Sequence, residues 1–299
     1  MFAKGRTGLL ATALLPAVFA VWLPLTVAAE ATGEVVCWGL NQDGQATPPA
    51  GLRATALAAG ANHTCALTEA GRVACWGRDI EHQTRVPEGL EATALVAGQA
   101  HNCALGPGGE VVCWGGWLEI NRRTVPPGLT ATGLAAGAQH SCALSAAGPV
   151  ICWGHSPDGE TETPAGLDAR VIRAGGQHNC ALDAAGDIAC WGWRAVDDWR
   201  IPALPGGVVA LAAGAFHACA VDARGEVHCW GWNLAGQTDV PDGLVATAIA
   251  GGDGHSCALG PDGEVICWGW NRSGQATPPQ GIRARAIALG AEHGCAIRR

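Results

Sequence analysis

Along residues 34–299 short apolar runs alternate with glycine-centred turns, and no apolar stripe of helical period outlasts a few residues. Residues 55–77 show the pattern. Thr55-Ala56-Leu57-Ala58-Ala59 runs into a Gly60-Ala61-Asn62 turn. His63-Thr64-Cys65-Ala66-Leu67 runs into a turn at 68–72, and Val73-Ala74-Cys75-Trp76 closes the unit at Gly77. Apolar runs this short, separated by Gly turns at fixed spacing, predict three strands joined by tight turns.

The unit repeats through the chain. Cys-Trp-Gly begins at Cys37, Cys75, Cys113, Cys152, Cys190, Cys229 and Cys267, spaced by 38 or 39 residues. His-x-Cys-Ala places Cys65, Cys103, Cys142, Cys180, Cys219, Cys257 and Cys295 in the run before it. Seven units therefore fill residues 30–299. Helical repeats of similar period need helical patterns of about 10–15 residues, which Gly and Pro interrupt here. A sheet-based period near 38 suits the blade of a propeller. Residues 34–38 supply the last strand of a unit without its earlier strands, and residues 293–297 supply a unit without its last strand. Joined, they complete a seventh blade. The expected fold is all-β: a closed seven-bladed β-propeller with short three-stranded blades.

Register arithmetic assigns the cysteines. In the hairpin around 68–72, residue 65 opposes 75, 66 opposes 74 and 67 opposes 73. Opposed residues lie about 4.5–5.5 Å apart at Cα, within disulfide range. The same arithmetic pairs Cys103 with Cys113, Cys142 with Cys152, Cys180 with Cys190, Cys219 with Cys229 and Cys257 with Cys267. Ring closure brings Cys37 to Cys295. Seven intra-blade disulfides result, and the last acts as a clasp. His-x-Cys with a second cysteine offers three metal ligands per unit, but seven sites would each lack a fourth, so no metal is expected.

The repeat histidines His63, His101, His140, His178, His217, His255 and His293 read as turn residues that satisfy nearby backbone groups in every blade. The Trp of each Cys-Trp-Gly reads as packing between blades. Within residues 30–299 five other Trp do not follow the repeat: Trp117, Trp193, Trp199, Trp232 and Trp270. If the first strand of a blade runs up, the second runs down and the third up. The Gly-x-x-His turns and the start of each long inter-blade loop then share one upper face, together with Phe216. Such aromatics are enriched at interface hot spots. Glu119, Arg194, Asp197 and Asp198 suit a polar rim around them. Two readings stand for these Trp: exposed anchors for a partner, or rings folded over the blade below.

The unit Cys-Trp-Gly-x-Asn-x-x-Gly-Gln, at residues 37–45, 229–237 and 267–275, resembles the regulator of chromosome condensation repeat. The Ala-Gly-x-x-His turn at 59–63 and its counterparts match that repeat's second hallmark. Loops at 78–83, 116–123, 155–160 and 193–200 lack Asn-x-x-Gly-Gln and mark a divergent surface. The resemblance implies a seven-bladed propeller. It extends in architecture to exported members that plug a beta-lactamase with aromatic-rich loops on one face, which implies a protein partner, a beta-lactamase included.

Composition sharpens location and partner. The chain has 14 Cys, 13 Trp, no Tyr and a net charge of −8. That many cysteines disfavour a reducing cytosol, and the acidic balance disfavours nucleic acid. Lys4 and Arg6 precede an uncharged stretch at 7–29 that ends Val27-Ala28-Ala29, the anatomy of a secretory signal at residues 1–29. Retained, the same stretch is long enough to anchor the protein in a membrane. Residues 30–299 then form the propeller domain, secreted or held in the periplasm or cell envelope.

No nucleophile–base–orienter set, phosphate loop or special carboxylate pair stands out, so neither an enzyme nor a cofactor is expected. The leading function is a secreted, monomeric propeller that binds a protein through its upper aromatic loops, as an inhibitor of a beta-lactamase-type enzyme. The alternatives are a propeller lectin, with Trp193, Trp232 and Trp270 at one offset in three blades for glycan stacking, and a structural envelope module.

Overall fold

The computed structural model describes residues 32–116, 124–193, 199–204 and 206–299. Among them there is no helix, and every sheet is antiparallel. Six sheets follow the same order of first, middle and last strand. In blade 2 these strands are Ala56–Ala59, His63–Leu67 and Val73–Gly77. Blade 1 joins the two ends of the described chain: Ala284–Leu289 and His293–Arg298 pair with Gly33–Gly39. The protein is a closed seven-bladed propeller. Blade 1 carries a short fourth strand, Arg53–Ala54, and single outer bridges at Glu110–Thr130, Glu226–Val245 and Glu264–Arg283 sketch the same edge on blades 3, 6 and 7. The three-stranded expectation thus holds, with a rudimentary outer edge added.

The hairpin register is the one the spacing implies: Cys65 opposes Cys75, and Cys37 opposes Cys295. All seven disulfides form in that pattern, six within hairpins and one across the ring closure. Their Cα atoms lie 4.0–4.1 Å apart, closer than the sequence arithmetic assumed, because the bonds draw opposed cysteines together. Bridges this dense place the folded domain in an oxidising environment.

Seams between blades hold the core. The middle strands are buried end to end, as in His63–Leu67, and each hydrophobic cluster spans two neighbouring blades, with a repeat Trp packed against it. The repeat histidines are completely or almost completely buried. Each His ring lies on the Gly of its own turn: a Cβ on Gly60 would sit 2.1 Å from His63 Cε1. Only glycine leaves room for that ring, which is why Gly and His travel together in the repeat.

The histidines do more than satisfy their turns. His63 Nε2–H donates to Asn102 Oδ1 of the next blade at 2.8 Å, and Asn102 Nδ2–H donates to Gln83 O at 2.8 Å. Trp114 Nε1–H donates to the same Gln83 carbonyl at 3.1 Å. The relay recurs as His293–Thr64–Gln45, His140–Asn179–Glu160 and His217–Ser256–Gln237. The sequence reading placed these bonds on backbone groups, identically in every blade. In five blades they go instead to a neighbour's side chain, because the residue between His and Cys faces the preceding blade; His178 and His255, opposite Ala218 and Gly294, make no such bond among the described residues.

Candidate binding face

The Gly-x-x-His turns and the starts of the long loops meet on one face, here called upper. Backbone bonds join them: Trp193 N–H donates to Gln177 O, Trp232 N–H to Phe216 O and Trp270 N–H to Gly254 O, at 2.7, 2.8 and 2.7 Å. The residue three positions after each repeat cysteine is therefore locked beside the turn residue preceding the histidine. That local rule sets the three non-repeat Trp in a row over blades 5, 6 and 7.

Across the step from blade 5 to blade 6 they form a cluster. Phe216 meets Trp193 and Trp232 edge-on, both with ring centroids at 5.2 Å, and Trp193 lies 6.3 Å from Trp232. Trp193 and Phe216 are half-buried, while Trp232 remains 44% exposed. Leu234 extends the apolar surface at 79% exposure. Over blade 7, Gly254 stands where Phe216 stands over blade 6. Trp270, 40% exposed, therefore has no ring beside it there and is covered by the Arg272 guanidinium at 4.8 Å.

Trp199 lies elsewhere. Its ring meets His178 edge-on at 4.7 Å and packs on the buried cluster holding Leu211 and Trp230. Of the two readings for the extra Trp, folding onto a blade describes Trp199, and exposure describes Trp232 and Trp270. Trp117, Glu119, Arg194, Asp197 and Asp198 lie outside the described residues.

The long loops at 78–83 and 155–160 prove regular in shape despite their divergent sequence. Gln83 Oε1 accepts the Glu81 N–H as Gln45 Oε1 accepts that of Asp43, both at 2.9 Å. Asp79 and Ser156 replace Asn41 in accepting a backbone N–H five residues on. His82 takes a φ of 62° where Gly44 has 83°. These loops changed chemistry without changing course, so sequence departure overstated the divergence of surface.

At the centre of the upper face opens an axial cavity of about 520 Å³, lined by the small residues of the inner strands and turns together with Phe216 and Asp253. On the lower face Asp222, Glu226 and His228 converge within 4.8 Å. Arg224 bonds both carboxylates at 3.2 and 2.8 Å, so the cation of that cluster is its own arginine. Asp222 is buried and accepts the Arg224 and Glu226 N–H groups. This lower turn is thus less tolerant at Asp222 than its loop position suggests.

Four segments, 54–83, 131–160, 208–237 and 246–275, match the regulator of chromosome condensation (RCC1) repeat. Each begins in or near an inner strand and ends at the Gln or Glu that closes the long loop. Four of the seven units thus match the RCC1 repeat, and the propeller resembles that family. No curated protein sequence matches it significantly. Among solved structures, the ectodomain of the receptor kinase CR4 from Physcomitrella patens is 25% identical, with a TM-score of 0.71 over 81% of this chain and 69% of that one. Prp20p from Saccharomyces cerevisiae, in a structure concerned with its binding to Gsp1p and histones, is 17% identical, with a TM-score of 0.77 over 90% and 92% of the two chains. Yeast RCC1 (Prp20) bound to Kap60 is 16% identical, with a TM-score of 0.78 over 100% and 96%. At these last identities the likeness is one of fold. The hallmark Gln is explained by its side chain, which closes the loop, while its carbonyl ties the seam by accepting from both the relay residue and the repeat Trp.

Proposed function

We propose that this RCC1-repeat propeller is an exported protein-binding module that engages its partner through the upper face. One observation carries the reading. Trp193, Phe216 and Trp232 form a contiguous aromatic cluster with one ring still open to solvent. A partner covering an exposed Trp within such a cluster gains apolar burial without having to order a flexible side chain first. The binding of Gsp1p, histones and Kap60 by yeast Prp20 supports protein recognition as a use of this fold. The oxidising environment required by the disulfides and the charge pattern of residues 1–29 support export, with that segment as the signal and the mature domain secreted or periplasmic. Inhibition of an enzyme of the beta-lactamase type is the finer form of this reading.

Glycan binding fits the cluster less well. A lectin built on Trp193, Trp232 and Trp270 needs three comparable stacking platforms. Two of these rings are packed against Phe216, and the third is covered by Arg272. The test is a pull-down from host secretions with the oxidised protein as bait, beta-lactamases added among the prey, and a Trp232→Ala bait alongside. The reading expects a protein captured by the parent and lost, by tenfold or more, with Trp232→Ala. Equal capture by both baits, or capture reversed by free sugars, would refute it.

A further inference from the structure

The axial cavity opens beside the aromatic cluster, and Phe216 lines both. Its walls are largely alanine and glycine, so its polar character comes from backbone carbonyls and few side chains. In the turn position that Asp253 occupies, the other blades carry Ala61, Gln99, Ala138, Gly176, Ala215 and Ala291. Asp253 is thus the one acidic residue of that ring. Its carboxylate makes no hydrogen bond or ion pair with any described residue. Neither lysine nor arginine lines the cavity among the described residues.

The surroundings are acidic. Glu292, in the neighbouring turn of blade 1, accepts the Ser273 hydroxyl at 2.6 Å and has no cationic partner. Glu160 also lines the cavity, with its carboxylate on the Asp158 N–H at 3.0 Å. Asp253 stands exposed at the mouth, where partial desolvation, and then repulsion from Glu292, raise its pKa above its ordinary value. A carboxylate held this way is one that an incoming cation relieves. Arg173, on the inner strand of blade 5, does not supply that cation. Its guanidinium donates to the Leu211 and Ile172 carbonyls, each at 2.9 Å, and its own pKa is lowered by desolvation alone.

We propose that the axial mouth is a socket for one lysine or arginine side chain of the protein partner, with Asp253 as its counter-ion, placed beside the apolar anchor that Trp232 and Phe216 receive. The partner segment is then a short exposed loop carrying an apolar and a basic residue close together. Three features fit this chemistry. The mouth has room for an extended aliphatic stem, no lysine or arginine among the described residues lines it, and the Asp253 carboxylate has no partner among them.

The proposal rests on the upper face being the binding face, and the experiment separates the two. A displayed random dodecapeptide library is selected against the oxidised protein and, in parallel, against Trp232→Ala and Asp253→Asn. The other residues at the Asp253 position are uncharged, so Asp253→Asn is expected to fold, and its thermal midpoint checks that. The expected result is peptides with an apolar residue and a Lys or Arg, lost on Trp232→Ala. On Asp253→Asn they should bind about tenfold more weakly. Replacing the peptide's Lys or Arg by norleucine should cost the same on the parent and nothing more on Asp253→Asn. Peptides lost on Trp232→Ala but showing no basic enrichment, and indifferent to Asp253→Asn, overturn the socket alone. A library that yields no peptide, or only peptides indifferent to Trp232→Ala, overturns the face and the socket with it.

Discussion

Two seams of the ring, between blades 6 and 7 and between blades 5 and 6, are built from the same repeat and solved differently. At the first, His217 Nε2–H donates to Ser256 Oγ at 2.9 Å, Ser256 donates to Gln237 O at 3.0 Å, and Trp268 donates to the same carbonyl at 2.9 Å. At the second, Ala218 replaces the serine, so the His178 ring has no side-chain hydrogen-bond partner across the seam among the described residues. Among them Trp230 Nε1 also has none. The gap is filled by a ring. A Cβ on Gly231 would meet Trp199 Cζ2 at 2.9 Å, where the equivalent glycines 39, 77, 115 and 269 meet the Cα of a loop Gln at 2.8–3.1 Å. One seam is held by a hydrogen-bonded relay and the other by aromatic packing. Beside the packed seam lies the loop that diverges most from the repeat and carries Trp193.

Both seams share buried neutral histidines, and acid should act on them most. Where Nε2–H donates to the next blade, Nδ1 faces the turn glycine. Desolvation lowers the pKa of His63, His217 and His293 to about 4 and that of His178 and His255 to about 3. The unfolded chain takes up those protons near pH 6.5 while the folded chain refuses them. Stability is therefore complete above that pH and lost as pH falls from about 6.5 towards 4 and then 3. The loss is roughly 1.4 kcal/mol per pH unit for each histidine in that window. Thermal midpoints of the oxidised protein should drop steeply between pH 7 and pH 4.5. A flat profile would show that the rings have other acceptors.

Trp199→Ala comes next, since it empties the packed seam. A large-to-small change at a half-buried Trp should cost about 2–4 kcal/mol, measured by denaturant titration. Trp232→Ala, nearly half exposed, should cost under 1 kcal/mol while abolishing partner capture. The pair separates a ring that holds the fold from one that holds a partner. Equal stability losses would erase the distinction.

Much of this was legible in the chain. The period of 38–39 fixed the blade, and the interval of ten residues fixed the hairpin register and six of the bridges, because opposed positions in a strand pair follow from counting alone; the seventh, Cys37–Cys295, followed from closing the ring. The offset of three after each repeat cysteine placed Trp193, Trp232 and Trp270 on the face that also carries Phe216. Counting failed where the answer depended on a neighbour 37–40 residues away. That His63 bonds Asn102 was readable only from the alternation Thr64, Asn102, Ser141, Asn179, Ser256 between His and Cys, a run of small polar residues broken by Ala218 and Gly294. Trp199 looked like Trp193 in sequence, and only the missing Gln of its loop hinted that it would fill a seam. Asp253 gave no periodic signal at all, since a single departure in a turn is indistinguishable from drift until the ring closes around it.

Within the hydrogen-bonded seam, Ser256→Ala should have the next largest effect. It leaves the His217 N–H buried without an acceptor, a cost of about 1–3 kcal/mol. The His217 pKa should also change, which nitrogen-resolved titration of the histidines can follow. No loss of stability would mean that the relay contributes nothing beyond packing, and the contrast between the seams would collapse.

The smallest effect is the reverse substitution, Ala218→Ser in the packed seam. Ala218 is fully buried beside His178, at the position where Ser141 and Ser256 accept from His101 and His217 at 2.8 and 2.9 Å. A serine there gives the His178 Nε2–H an acceptor, and the side chain grows by one oxygen in a site the other blades show can hold it. The net gain of a typical internal hydrogen bond is about 1 kcal/mol. Seating the extra oxygen in a site packed against Trp199 offsets part of that, so the gain should fall short of it. Denaturant midpoints of the parent, Ala218→Ser and Ala218→Ser combined with Trp199→Ala would decide the matter. A gain that persists or grows without Trp199 means that the ring and the relay are alternative ways to close one seam. A loss of stability in Ala218→Ser, recovered on removing Trp199, means that the ring has made the site apolar and the relay cannot return beside it.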